Sequence, residues 1–283
     1  MFRMIGRLIK LSISIVFYII QSIVFSICCL SNRKKTALSI FLTYHSVKPG
    51  QSSSFDAQMD EIVKTGIPAF AGISQHGLLG RHHIIVTFDD GFQSVLENAL
   101  PIMHAKKIPA TIFVTTGCIG KSPEWITDPK HANAAELLMT EDQLKGLPAN
   151  EVMIGSHTVS HPHLADVDTN TLREELADSK KRLEDILQRK VSLLALPYGS
   201  VDEERIEWFR QAGYERVFLN VPTFPATLTG RYFVGRIDTS PDDWMIEYKL
   251  KIRGGYQWLP WAIAVKQTIR RLAQGSSERG KVS

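Results

Sequence analysis

Three short clusters hold the residues best suited to chemistry. Ile84-Ile-Val-Thr-Phe-Asp89-Asp90-Gly91 reads as a strand that delivers two carboxylates at its end. Neighbouring side chains leave an extended backbone in different directions, so one carboxylate can hold a cation while the other stays free as a base. Asp-Gly alone is a common turn signal, and adjacent acids also suit a solvated loop. His157-Thr-Val-Ser-His161-Pro-His163 supplies imidazoles four residues apart. They meet at one ion if the segment is helical or tightly turned. One carboxylate with two imidazoles leaves positions open on zinc, as a catalytic metal requires. Leu193-Leu-Ala-Leu-Pro197-Tyr198-Gly199 ends another strand. It reads as an ordinary strand-to-loop turn, or as a turn that fixes a backbone N–H toward an oxyanion.

The elements that must position these clusters are short β-branched or aromatic runs alternating with helical patterns. Strands are expected at Ser39–Tyr44, Ile84–Phe88, Ala110–Val114, Val152–Ile154, Leu193–Leu196, Arg216–Leu219 and Tyr232–Val234, with helices at 55–65, 94–107, 140–146, 171–189, 203–212 and 242–252. Thr140-Glu-Asp-Gln143 and Thr171-Leu-Arg-Glu174 both fit a capping box. Strands separated by helices imply parallel pairing with both faces covered. The expected class is α/β, a distorted or incomplete (β/α) barrel of about seven units. Its site lies at the C-terminal strand ends, and an open doubly wound sheet is the alternative. No Gly-rich phosphate loop is present, which speaks against nucleotide binding.

The chain has 283 residues, 44% hydrophobic and 22% charged, which excludes a disordered tail or a small disulfide-stapled module. Three cysteines make no disulfide framework. Residues 1–35 carry six basic residues and no acidic ones, so the net charge of +4 belongs to this flank. The remainder has 27 basic against 29 acidic residues, and nucleic acid is not an expected partner. Leu11 to Leu30 are twenty residues without a charge, enough for a helix of about 30 Å. A signal peptide or a buried core helix would also be apolar. The length and the Cys-Cys-Leu-Ser-Asn-Arg-Lys-Lys ending favour a single-pass anchor in the cell membrane. Three basic residues on each side leave its orientation tied. The expected organisation is an anchor at 1–35 (helix about 11–30), a catalytic domain at 36–253 and a C-terminal part at 254–283. That last part, with Trp258, Trp261, Lys266, Arg270 and Arg271, reads either as an amphipathic interfacial helix or as a helix packed on the domain, followed by a loose tail.

Thr87-Phe-Asp89-Asp90-Gly91, His157-Thr-Val-Ser-His161 and Pro197-Tyr198-Gly199, in this order, resemble the first three motifs of the polysaccharide deacetylases, the NodB-homology enzymes of carbohydrate esterase family 4. The resemblance spans about residues 39–237. It implies a distorted (β/α) barrel and a divalent metal, usually zinc with cobalt or nickel as alternatives, that serves to remove N-acetyl groups from amino sugars. By position, Asp89 resembles the general base, Asp90, His157 and His161 the metal ligands, and the Tyr198 backbone N–H the oxyanion donor. Two departures stand out. The arginine that many members carry before Pro-Tyr-Gly is replaced by Leu193-Leu-Ala-Leu196, and Arg236 is either its substitute or an outward-facing surface residue. No histidine follows His163, so the family's C-terminal acid histidine is missing. Thr43-Tyr44-His45 resembles the Tyr-His element of a circularly permuted subgroup, which makes His45 the expected general acid. His163 either lines the site or faces solvent, and His76, His82, His83, His104 and His131 are expected at the surface.

The function these residues imply is metal-dependent deacetylation of an N-acetylated surface glycan or its lipid-linked precursor. The same chemistry on another C–N amide, such as a formamide, and a glycan-binding protein without turnover are the alternatives.

Overall fold

The computed structural model of the protein describes residues 2–30, 39–72, 82–199, 205–222, 232–266 and 268. Expectations that rest on His76, Arg33 to Lys35, the 203–204 helix start, Arg270-Arg271 and the tail from Gly275 lie outside the described residues.

Among the described residues, nine strands form one sheet: β1 (Ser39–Tyr44), β2 (Ile67–Ala69), β3 (His83–Phe88), β4 (Ala110–Val114), β5 (Val152–Ser156), β6 (Leu193–Ala195), β7 (Arg216–Leu219), β8 (Phe233–Gly235) and β9 (Ile237–Asp238). Every strand pairing is parallel. The order runs β8-β7-β6-β5-β4-β3-β1-β9, and β2 pairs with the first half of β3. Two strands exceed the seven expected, because β2 and β9 are three and two residues long, too short to show alternation. The first and last strands of this order are separated in sequence by Arg236 alone, so one extended segment leaves β7 and joins β1. That switch brings the two edges together into a nearly closed barrel, and the open doubly wound alternative is set aside.

Strand periodicity sorts the core into two shells. Outward positions such as Leu42, Tyr44, Val86, Phe88, Ile112 and Ile154 join the cluster beneath the helices. Inward positions Phe41, Ile85, Phe113, Ala195 and Phe218 pack against one another inside the barrel. The covering helices are α2 (Ser52–Thr65), α3 (Leu100–Ala105), α4 (Glu141–Gly146), α5 (Thr169–Leu187), α6 (Ile206–Gln211) and α7 (Met245–Ile252). The Thr140 capping box forms as expected, with Thr140 Oγ1 accepting from the Gln143 N–H at 3.2 Å and the Gln143 side chain accepting from the Thr140 N–H at 2.8 Å. The Thr171 box does not form. Asp168 caps α5 instead, accepting from the N–H groups of Asn170 and Thr171, since its carboxylate stands one turn nearer the start.

The N-terminal helix, α1 (Phe2–Leu30), begins well before the charge-free run and is the one described helix long and apolar enough to cross a membrane. It does not stand apart from the barrel. Leu11 and Ser14 are buried, and Leu11 belongs to the same core cluster as Tyr248, Leu250 and Tyr256. Beyond α7, residues 259–266 are helical. His82 and His83 lie at the N-terminal end of the barrel, as expected, but His83 is buried rather than exposed because it forms the first rung between β1 and β2.

Candidate active site

Parity along the strands determines which groups reach the barrel mouth. Thr43, Thr87, Gly155 and Val234 share inward parity with the aromatic interior, and two residues further on come His45, Asp89, His157 and Arg236. The parallel register sets Tyr44 beside Phe88, and the Asp89 N–H donates to the Tyr44 carbonyl at 2.9 Å. The ends of β1 and β3 therefore carry His45 and Asp89 side by side.

Asp89 is fully buried and gripped by Arg236, whose Nη1 and Nη2 donate to Oδ1 and Oδ2 at 2.6 and 2.8 Å. Arg236 is itself fully buried, which rules out the surface reading of this residue. Its remaining donors reach Thr87 Oγ1 at 3.0 Å, the Leu219 carbonyl at 3.3 Å and Asn220 Oδ1. Its guanidinium lies over the Phe113 ring at 5.2 Å. A bidentate fork suits a carboxylate that must stay ionised in an apolar surrounding. Burial alone would push the Asp89 pKa up, but Arg236 outweighs it and holds the group at about 2.

Asp90 has the opposite fate. The chain turns at Asp90 (φ 71°) and Gly91 (φ 87°), and a Cβ on Gly91 would press the Val114 side chain at 3.2 Å. This turn aims Asp90 away from Arg236 toward the two histidines. Its Oδ1 lies 3.7 Å from His157 Nε2 and 3.5 Å from His161 Nε2, and it has no hydrogen-bond partner although buried. Among the described residues, Asp90, His157 and His161 form a group whose ligand atoms lie within 4.8 Å of one another. His157 is oriented by donating from Nδ1 to the Ala195 carbonyl at 2.8 Å, which leaves Nε2 for the cluster. Burial raises Asp90 to about 7, lowers His157 to about 4, and with His157 beside it lowers His161 to about 2. Neutral imidazoles with an orphaned carboxylate oxygen match what a divalent cation needs, and a cation there would return Asp90 to its ionised form.

The His157–His161 segment is tightly turned rather than helical, with positive φ at Thr158 (69°) and His161 (60°). Glu175 of α5 holds it: the N–H groups of Val159 and Ser160 donate to Oε2 at 2.7 and 3.0 Å, and Ser160 Oγ donates to Oε1. Glu175 was not expected from sequence, where an acid on a helix reads as part of a solvated face. Trp125 was missed as well; it stacks on His161 with ring centroids 4.5 Å apart. Its signal was the long stretch between β4 and α4, since connections of that length are often functional.

Tyr198 also has positive φ (58°), and its half-exposed ring lies against His161. His163 is exposed yet stacked on Tyr198 at 3.6 Å, at the rim. His104 and His131 are exposed, as expected. His45, Asp90, Trp125, His161, Tyr198 and Asn220 line one open cleft of about 810 Å³. His45 shares this cleft with Asp90 and follows the strand paired with the one that leads to Asp89.

The sequence profile described as polysaccharide deacetylase matches residues 77–217. YxkH of Bacillus subtilis, a protein assigned to the same group, is 28% identical over 219 residues, 74% of each chain. A poly-beta-1,6-N-acetyl-D-glucosamine N-deacetylase of Staphylococcus aureus is 23% identical over 182 residues, covering 61% of this chain and 60% of that enzyme. Among solved structures, IcaB from Ammonifex degensii superposes with a TM-score of 0.61 at 23% identity, covering 79% of this chain and 98% of that one. At that identity the superposition establishes the fold.

Proposed function

Because this chain belongs to the polysaccharide deacetylase family, we propose that its barrel mouth hydrolyses the N-acetyl groups of amino sugars in an N-acetylated glycan. The observation that carries this reading is the opposed environment of two adjacent carboxylates, Asp89 held by Arg236 and Asp90 orphaned beside two histidines.

Asp90, His157 and His161 would hold a divalent cation, zinc first and cobalt or nickel as alternatives. When bound, that ion supplies Lewis acidity toward the amide carbonyl and the attacking water. The chain's own groups do the rest. Asp89, kept anionic by Arg236, accepts the proton that water loses as its oxygen adds to the carbonyl carbon. The Tyr198 N–H donates to the oxyanion that forms. His45, on the neighbouring strand, gives a proton to the nitrogen as the C–N bond breaks, so acetate and a free amino sugar leave. With this role for His45, the chain would resemble the subgroup that carries its acid on the first strand. The domain at 36–253 contains all of these groups, and α1 (within 1–35) together with the segment from 254 brings them to a membrane surface. A lipid-linked or membrane-proximal glycan, of the class named for the staphylococcal relative, is the substrate this placement favours.

Acetate release from poly-β-1,6-linked N-acetylglucosamine oligomers tests the reading. The full chain should release acetate, and Asp89→Asn should lower turnover at least about 100-fold with bound metal unchanged. Undiminished release by Asp89→Asn would remove Asp89 as the base. Release of formate from N-formyl sugars, without acetate from N-acetyl ones, would move the activity to a deformylase.

A further inference from the structure

The length of the apolar segment suggests a helix that crosses the bilayer. Its packing points elsewhere. The face that meets the domain recurs at heptad spacing through Arg7, Ser14 and Gln21, with Leu11 and Tyr18 between them. Arg7 Nε donates to Glu247 Oε2 at 2.8 Å and its guanidinium lies over Trp244 at 4.4 Å. Ser14 Oγ accepts from Trp258 Nε1 at 2.9 Å, and Gln21 Nε2 donates to Gln257 Oε1 at 3.3 Å. A helix docked in this way cannot cross a bilayer without one of two losses. Either Arg7, Asp243 and Glu247 enter hydrocarbon with it, or α1 leaves the domain and uncovers the apolar surface around Tyr248 and Leu250.

The opposite face is apolar apart from Ser12. At 100° per residue, Ile5, Ile9, Ile13, Val16, Ile20 and Ile23 fall on the side away from the domain, and all are exposed. One flank of this stripe carries the groups that favour a lipid headgroup region. Lys10 is exposed there, and Phe17 meets Trp261 with ring centroids 5.8 Å apart. Trp261, Val265 and Lys266, all exposed on the helical segment 259–266, continue the same surface. An apolar strip bordered by tryptophan and lysine matches the depth profile of an anionic bilayer surface, with isoleucines among the acyl chains and amines among the phosphates.

We propose that α1 is an in-plane anchor: it stays docked on the barrel and lays its isoleucine face, with the 259–266 segment beside it, into one leaflet of an anionic membrane. The catalytic domain is then fixed to the surface in one orientation instead of hanging from a tether. This assignment is independent of the hydrolytic reading of the barrel mouth.

Two measurements test it on the full chain. The first is sedimentation with vesicles of phosphatidylcholine alone or mixed with phosphatidylglycerol. The purified protein should bind the mixed vesicles more tightly, and Ile9→Asp/Ile20→Asp should reduce bound protein by about tenfold or more while metal content and circular dichroism stay unchanged. The second uses Met4→Cys and Ser26→Cys, each with Cys28→Ser and Cys29→Ser, in sealed membrane vesicles from expressing cells. A membrane-impermeant maleimide applied on the domain's side should label both positions. Labelling of one end only until the membrane is opened would establish a crossing helix and overturn the assignment. So would loss of α1 from the mature chain by mass, vesicle binding unaffected by the aspartates, or a discrete dimer that binds no lipid.

Discussion

The two halves of the candidate site are built from adjacent residues and yet follow opposite rules. Around Asp89 the charged groups are matched: Arg236 donates to both carboxylate oxygens, and its other donors reach Thr87, Leu219 and Asn220. Around Asp90, buried donors and acceptors are left over, including Asp90 Oδ1 and His161 Nδ1. The first half is complete without a ligand and fixes a charge; the second is incomplete and asks for one. A single left-handed turn at Asp90-Gly91 separates them. Adjacency in sequence therefore assigns neither role, and the second partner of each residue decides it.

Removing a member of each half should have consequences of different kinds. The largest loss of turnover is expected for Asp89→Asn, about 100- to 10,000-fold, with metal retained; equal loss of metal would show that the halves are not separable. Arg236→Met should cost about 3–5 kcal/mol of folding stability, because it strands a buried carboxylate, and urea unfolding would measure it. Arg236→Lys tests the sign of the electrostatics. Losing the fork leaves burial less opposed, so the Asp89 pKa must rise from about 2, and the acid limb of the kcat/KM profile should move to higher pH. An unmoved limb would mean that Arg236 only braces the fold. His45→Gln should lower turnover about 100-fold and leave both metal content and stability alone. The smallest effect falls to Glu175→Gln, which loosens the His157–His161 turn without touching the ion. It should weaken metal binding about tenfold, read by competition with a chelator.

The same contrast explains what the sequence made legible. Asp89, Asp90, His157 and His161 follow short apolar, β-branched runs bounded by turn residues, so their arrival at one end of a barrel could be read directly. Arg236 stood undecided between site and surface because its partner lies 147 residues away. The parity of Phe233 and Val234, outward and inward, already placed it inside. The barrel was expected, but the strand that closes it was not, since β9 is two residues that pair by register rather than by pattern. Glu175 stayed hidden because its helix looks amphipathic and its contacts are backbone N–H groups in a distant turn. For α1, hydropathy reported length; the heptad of Arg7, Ser14 and Gln21 that docks it became meaningful only against α7 and Trp258.

Everything proposed for the barrel mouth depends on whether Asp90, His157 and His161 hold a divalent ion. Metal content of the purified full chain, measured beside the His157→Ala/His161→Ala double variant, tests it without any assumption about the sugar. Close to one zinc, cobalt or nickel ion is expected per folded wild-type chain and none in the folded variant. A folded wild type that stays empty after metal is supplied would contradict it.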